Sequence, residues 1–198
     1  MVYQVDIEEE KMSKENTTFY AILGLLTHED MTGYDVKKRI DSSISNFWDA
    51  GYGQIYPTLK TLEKGEFVSK TVGLNGKGPD KIIYSITEAG RKKLIEWLLK
   101  SNEKENVKYD ILLKLFFGSM LPVEENIKKI IEFRARNAEK LKMMGLFTES
   151  LIKVLPENKD HYYYYLTVQL GKYTYKANLD WADEAINILE KMRNENLS

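Results

Sequence analysis

The chain has 198 residues, 43% hydrophobic and 30% charged, with a net charge of −1, a balance that excludes a disordered tail or a membrane bundle. Cysteine is absent and the histidines are His28 and His161, which removes disulfides, thiolate metal sites and Cys–His nucleophiles. With no phosphate-cradling GxxxxGK[ST] or GxGxxG turn either, a binding protein without a cofactor is expected rather than an enzyme.

Residues 1–16 form an acidic extension of net charge −3, with no apolar core or cleavage site of a secretion signal, so a cytosolic protein is expected. Residues 17–100, net +2, read as one domain. Thr17 or Thr18 caps a first helix, with Phe19, Ile22, Leu23 and Leu26 at the helical period. His28–Met31 breaks it, and Thr32 caps a second helix with Asp35 in its first turn and Val36, Ile40 and Ile44 on one face. A third helix follows Asn46–Gly51, with Ile55, Leu59 and Leu62 apolar and Gly65 as its stop. Proline is tolerated in a first turn and costly deeper in a helix, so Pro57 sets the expected start close to Gly53 or Gln54. Two β-branched runs, Phe67–Val72 and Lys81–Ile86, flank the glycine-rich stretch Gly73–Asp80 and predict a hairpin with an exposed tip. Thr87 and Glu88 open a fourth helix carrying Leu94, Ile95, Trp97 and Leu98. This is the order of a winged helix-turn-helix.

Composition shifts after Lys100, and a helical domain is expected over 108–195 behind the polar stretch Ser101–Val107. A short helix near Tyr109–Met120 comes first. Pro122 with Glu124 and Glu125 then opens a helix that can reach Leu155, with Ile127, Ile131, Ala138, Leu141 and Gly145 at helical spacing. A last helix over Lys159–Arg193 carries Leu166, Leu170, Tyr173, Ala177, Trp181, Ala185, Ile188 and Met192. Each is on the order of 50 Å long. Two such helices with no third layer need a partner surface, which a second copy of the chain supplies. The expected fold is therefore mostly α with a small β-hairpin: a winged helix-turn-helix followed by a helical dimerisation domain.

On a helical wheel the third helix turns Ile55, Leu59 and Leu62 inward and Gly53, Pro57, Lys60, Thr61 and Lys64 outward, with Gln54 and Tyr56 on the flanks. Gln54 and Thr61 can reach base edges, Lys60 and Lys64 can meet phosphates, and the Tyr56 hydroxyl can do the same. Thr58 joins them as a candidate contact. A solvated lysine face has the same pattern, and the hairpin decides between the two. Lys77 at its tip and Lys70 and Lys81 on its strands suit a wing on the phosphate backbone.

The segment Phe19–Leu98 resembles the DNA-binding domain of the PadR family of bacterial transcription regulators. The resemblance lies in AILGLL (Ala21–Leu26), TGYDVKKRI (Thr32–Ile40), FWDAGYGQIYPTLKTLEKGEFV (Phe47–Val68) and GPDKIIYSITEAGRKKLIEWL (Gly78–Leu98). The length and the two long helices are similar to the longer, virulence-activator type of member. The resemblance implies a homodimeric repressor on double-stranded DNA with an inverted-repeat operator, and it singles out Gln54, Tyr56, Lys60 and Lys77. Many members carry arginine or several basic residues at the wing tip, where this chain has Lys77 between Gly76 and Gly78. It also implies a phenolic or flat hydrophobic effector, for which Trp97, Tyr109, Tyr162 and Trp181 are candidate lining residues, against packing in helix interfaces. A winged-helix module for protein–protein assembly is the alternative function.

Overall fold

The computed structural model describes residues 17–73, 81–101 and 108–195. They divide between two compact units, Met1–Lys104 and Glu105–Ser198.

In the first unit α1 covers residues 17–26 and ends where the Thr27 hydroxyl donates to the Gly24 carbonyl at 2.6 Å. Next comes a strand the sequence pattern does not announce, β1 (Met31–Thr32). It is too short to show a two-residue period. Helix α2 (Gly33–Ser43) starts on a complete capping box: the Asp35 amide donates to the Thr32 hydroxyl at 3.2 Å, and the Thr32 amide donates to Asp35 Oδ2 at 3.1 Å.

Helix α3 (Tyr52–Lys64) begins one residue before the expected start, with Gly51 as its N-cap. Pro57 therefore lies inside the helix rather than in its first turn. Its missing N–H leaves the Gly53 carbonyl without an i+4 donor. That loss is tolerable because Gly53 is exposed and water can take the place of the donor. At the other end, Gly65 is not the left-handed residue: its φ is −84°, and Glu66 adopts φ 59° instead. The Phe67 amide reaches the Leu62 carbonyl and the Glu66 amide the Glu63 carbonyl, both at 2.9 Å, which completes a Schellman motif with a glutamate at its strained position. Gly65 matters for a different reason, since a Cβ there would meet the Phe67 ring at 2.6 Å.

Strands β2 (Val68–Gly73) and β3 (Lys81–Ile86) form the hairpin, and β1 pairs with the far edge of β3, giving the order β1-β3-β2. Helix α4 (Glu88–Leu98) is capped by Thr87, whose hydroxyl accepts from the Gly90 amide and donates to the Glu66 carbonyl. The core beneath these elements contains Phe19, Ile22, Leu23, Leu26, Val36, Ile40, Ile55, Leu59, Leu62, Val68, Tyr84 and Leu94.

The second unit holds α5 (Asp110–Phe116), a 3-10 turn at Gly118–Met120, then α6 (Val123–Val154) and α7 (Lys159–Glu195), joined by a 3-10 turn at Leu155–Glu157. Helices α6 and α7 run antiparallel, as their cross-pairs require. Arg134 grips Asp183 with two hydrogen bonds, 2.5 and 3.3 Å long. The Asn178 amide donates to Asn137 Oδ1 at 2.9 Å, and Lys140 lies over the Tyr175 ring.

The seam differs from the apolar pattern in two respects. On α6 the buried residues are Asn126, Ile127, Ile130, Asn137, Met144 and Thr148, whereas Ile131 is half exposed. Three of these six are polar, so a count of apolar positions places the inner face to one side of the real one. On α7 the seam is made by Tyr175, Asn178, Trp181, Ala182 and Asp183. The stripe of Leu166, Leu170, Tyr173, Ile188 and Met192 points outward, with Leu170 68% and Tyr173 70% exposed. An unpaired apolar stripe along the hairpin is what the expected second copy would cover.

Candidate nucleic-acid interface

Helix α3 is anchored by Ile55, Leu59 and Leu62, none of which is exposed. That anchoring turns Gln54, Tyr56, Lys60, Thr61 and Lys64 to solvent, with Thr58 half-buried beside them. Gln54 also caps its own helix, its side-chain oxygen accepting from the Gly51 amide at 3.3 Å. The hydroxyls of Thr58 and Thr61 donate to the carbonyls of Gln54 and Pro57 at 2.7 and 3.1 Å. Their protons are thus occupied, and what they offer outward is an acceptor.

Two aromatic rings, not one, lie at the start of this surface. Tyr52 stacks on Tyr56 with centroids 6.0 Å apart. Tyr52 is not among the residues that the wheel turns outward, although its spacing of four from Tyr56 is the signal for such a pair.

On the hairpin, Lys81 opens β3 opposite Gly73 and is exposed. It contributes to holding the Asp35 carboxyl below its ordinary value, although the main cause is the hydrogen bond from the Thr32 hydroxyl. Lys70 does not stand clear: its ammonium lies 2.5 Å from Glu63 Oε1 on α3. That hydrogen bond raises the Lys70 pKa. Lys77 lies outside the described residues.

The four aromatic candidates separate. Trp97 stacks on Tyr20 at 4.7 Å and 8°, packed against the winged core. Tyr109 and Trp181 do come together, lining a cleft of about 130 Å³ with Ile111, Leu112, Phe133 and Asn178. Trp181 meets Phe133 edge-on at 5.5 Å. Tyr162 is exposed in the first turn of α7 and is not part of that lining. His161 is engaged with the Val154 carbonyl at 2.7 Å, within the α6–α7 connection. Among the described residues no helix is long and apolar enough to cross a membrane.

A three-stranded hairpin sheet against a helix-turn-helix, with a polar, lysine-bearing third helix, defines a DNA-binding regulator of the winged-helix class. The model of the transcriptional regulator PadR-like family matches residues 22–96, and that of the virulence activator alpha C-terminal domain matches residues 107–190. The chain belongs to the PadR-like family of transcriptional regulators, in its longer form.

The negative transcriptional regulator PadR of Bacillus subtilis (strain 168) is 27% identical over 176 residues, which cover 87% of this chain and 97% of that protein. The crystal structure of Bacillus subtilis PadR in complex with operator DNA is similar with a TM-score of 0.77 at 27% identity, over 87% of this chain and 97% of that one. Its complex with p-coumaric acid is similar with a TM-score of 0.70 at 26% identity, over 86% and 97%.

Proposed function

We propose that the chain is a dimeric repressor acting in the cytosol by binding rather than catalysis, and that a small aromatic effector releases it from an inverted-repeat operator. Residues 17–100 serve as the winged DNA-binding domain and 108–195 as the dimerisation domain. The observation that carries the reading is the outer face of α3, where Gln54, Tyr56, Lys60, Thr61 and Lys64 stand exposed over a fully buried apolar anchor. In a dimer two such helices enter successive major grooves roughly 34 Å apart. Gln54 and Thr61 face base edges, with Thr58 beside them, while Tyr56, Lys60 and Lys64 meet phosphates. Lys81 and Lys77 follow the backbone from the hairpin, and Lys70 joins this surface indirectly, through Glu63. Likeness to the operator complex of Bacillus subtilis PadR supports this arrangement.

For the effector, the cleft of Tyr109, Phe133 and Trp181 offers aromatic walls and one amide, Asn178. That lining suits a flat phenolic molecule, and the p-coumaric acid complex of the relative supports the same class of ligand.

The test is fluorescence anisotropy on the DNA upstream of the chain's own gene and on random DNA, across a salt series. Preference for the upstream fragment, with log affinity falling linearly in log salt, supports a sequence-specific regulator. Equal weak binding to both overturns it. Adding p-coumaric acid is expected to weaken the specific complex and to change the Trp181 fluorescence.

A further inference from the structure

The direction of Lys70 is set by the sheet. It stands opposite Tyr84 in the β2–β3 register, so the two side chains share one face. Tyr84 is buried on that face, as is Val68 two residues before Lys70, because this is the face turned toward α3. Lys70 therefore leans toward α3 at the rim of that face, its side chain 46% exposed, and its ammonium ends on Glu63. Glu63 follows Lys60 by three positions and precedes Lys64, which sets a carboxylate within one turn of two cations that face solvent. A carboxylate in that position repels any phosphate backbone. Paired with Lys70, it also ties the recognition helix to the hairpin.

We propose that Glu63 is a positioning residue for sequence discrimination: by holding Lys70 it fixes the hairpin against α3 and keeps one cation from the phosphates. The proposal rests on the reading of α3 and the hairpin as the DNA-gripping elements. Binding to random DNA depends almost wholly on phosphate contacts, whereas binding to an operator also draws on base contacts. Withholding a cation therefore weakens the random complex proportionally more. A hairpin held at one angle also fits one backbone geometry better than many. Specificity is the difference of the two affinities, and both effects widen it.

The experiment uses the full chain carrying Glu63→Gln, Lys70→Gln or both, each variant first shown to keep the wild-type circular dichroism spectrum. Anisotropy is read on the fragment upstream of its own gene and on a random duplex of equal length, across salt. Glu63→Gln is expected to steepen the salt slope by about one phosphate contact and to tighten random DNA about five- to tenfold. The upstream fragment changes less, so the ratio of the two affinities falls. Lys70→Gln bares the Glu63 carboxylate and weakens both complexes, whereas the double variant, with both charges gone, keeps the wild-type slope. A double variant whose slope is shallower than wild type by about one would mean that the lysine already sits on phosphate, and it overturns the proposal. So does an affinity ratio unmoved by Glu63→Gln. Wild-type protein that fails to prefer the upstream fragment overturns instead the DNA-binding reading beneath it.

Discussion

The ring of Tyr56 on α3 rests on the backbone of Gly33, the first residue of α2, so closely that a Cβ on Gly33 would stand 2.6 Å from Cε1 of the ring. Tyr52 stacks on the same ring, and 46% of Tyr56 remains exposed. A methyl group at Gly33 must push the ring aside, and the ring is the movable end of a side chain. Gly33→Ala is therefore expected to change stability by no more than about 1 kcal/mol. Operator binding is expected to weaken about tenfold, near the loss from Tyr56→Ala, if the Tyr56 hydroxyl meets a phosphate as proposed. Anisotropy and thermal melts on both variants check this. Wild-type affinity in Gly33→Ala would show that Tyr56 needs no fixed seat.

Gly90 is a harder case. A Cβ there would lie 2.1 Å from the Phe67 carbonyl oxygen, and backbone cannot rotate away as a side chain does. Thr87 binds this same turn to the start of α4: its amide donates to the Phe67 carbonyl, and its hydroxyl donates to the Glu66 carbonyl while accepting from the Gly90 amide. Gly90→Ala is expected to cost about 3 kcal/mol, at the upper end of ordinary overpacking. Urea unfolding of the two proteins would reveal it, and a midpoint within error of wild type would contradict the packing described.

The capping box of α2 gives a pH dependence of definite sign. Asp35 is held below its ordinary pKa of 3.8, chiefly by the Thr32 hydroxyl, with Lys81 and Lys38 adding to the effect. A carboxyl whose folded pKa is depressed stabilises the fold fully above its unfolded value, and that share is lost as pH falls through the lower, folded value. Asp35→Ala removes the N3 half of the capping box and should cost about 0.5 kcal/mol at pH 7, the screened share of an exposed carboxylate in a first turn. The gap to wild type should hold down to about pH 4 and close below it. A gap that persists at pH 2 would assign the loss to something other than the ionised cap.

Asn137 and Asn178 meet across the α6–α7 seam, and Asn137 also donates to the Phe133 carbonyl at 2.7 Å. Removing one partner leaves the other's amide without its mate in a half-buried seam. Asn137→Leu alone is expected to cost about 2 kcal/mol, and the double change to leucine much less. A double-mutant cycle on unfolding free energies measures the difference. Additive losses would mean that the two amides act independently.

Much of the winged unit was legible because its signals are local. Thr32 and Asp35 announce a cap, and Ile55, Leu59 and Leu62 fix the outer face of α3 by spacing alone. β1 was hidden because two residues have no period, and its pairing with β3 is a tertiary event. Glycine marks the stop of α3, but the left-handed φ falls on Glu66 while Gly65 makes room for Phe67. The inner face of α6 was misplaced because Asn126, Asn137 and Thr148 are buried there, and polarity at a seam mimics exposure. The spacing of Lys70 from Val68 puts it on the face toward α3, but its pairing with Glu63 is a tertiary contact that no local pattern announces. Residue type groups Trp97, Tyr109, Tyr162 and Trp181 together, and only packing separates them.

The outward stripe of Leu166, Leu170, Tyr173, Ile188 and Met192 carries a consequence for the regulator in the cell. When a fold leaves its apolar surface to be covered by an identical copy, mass action enters its stability, and unfolding becomes easier on dilution. Copy number then sets not only how much operator is occupied but how much of the chain stays folded. A cell that lets the level of this regulator drift down loses both together, which sharpens the threshold at which its target gene opens.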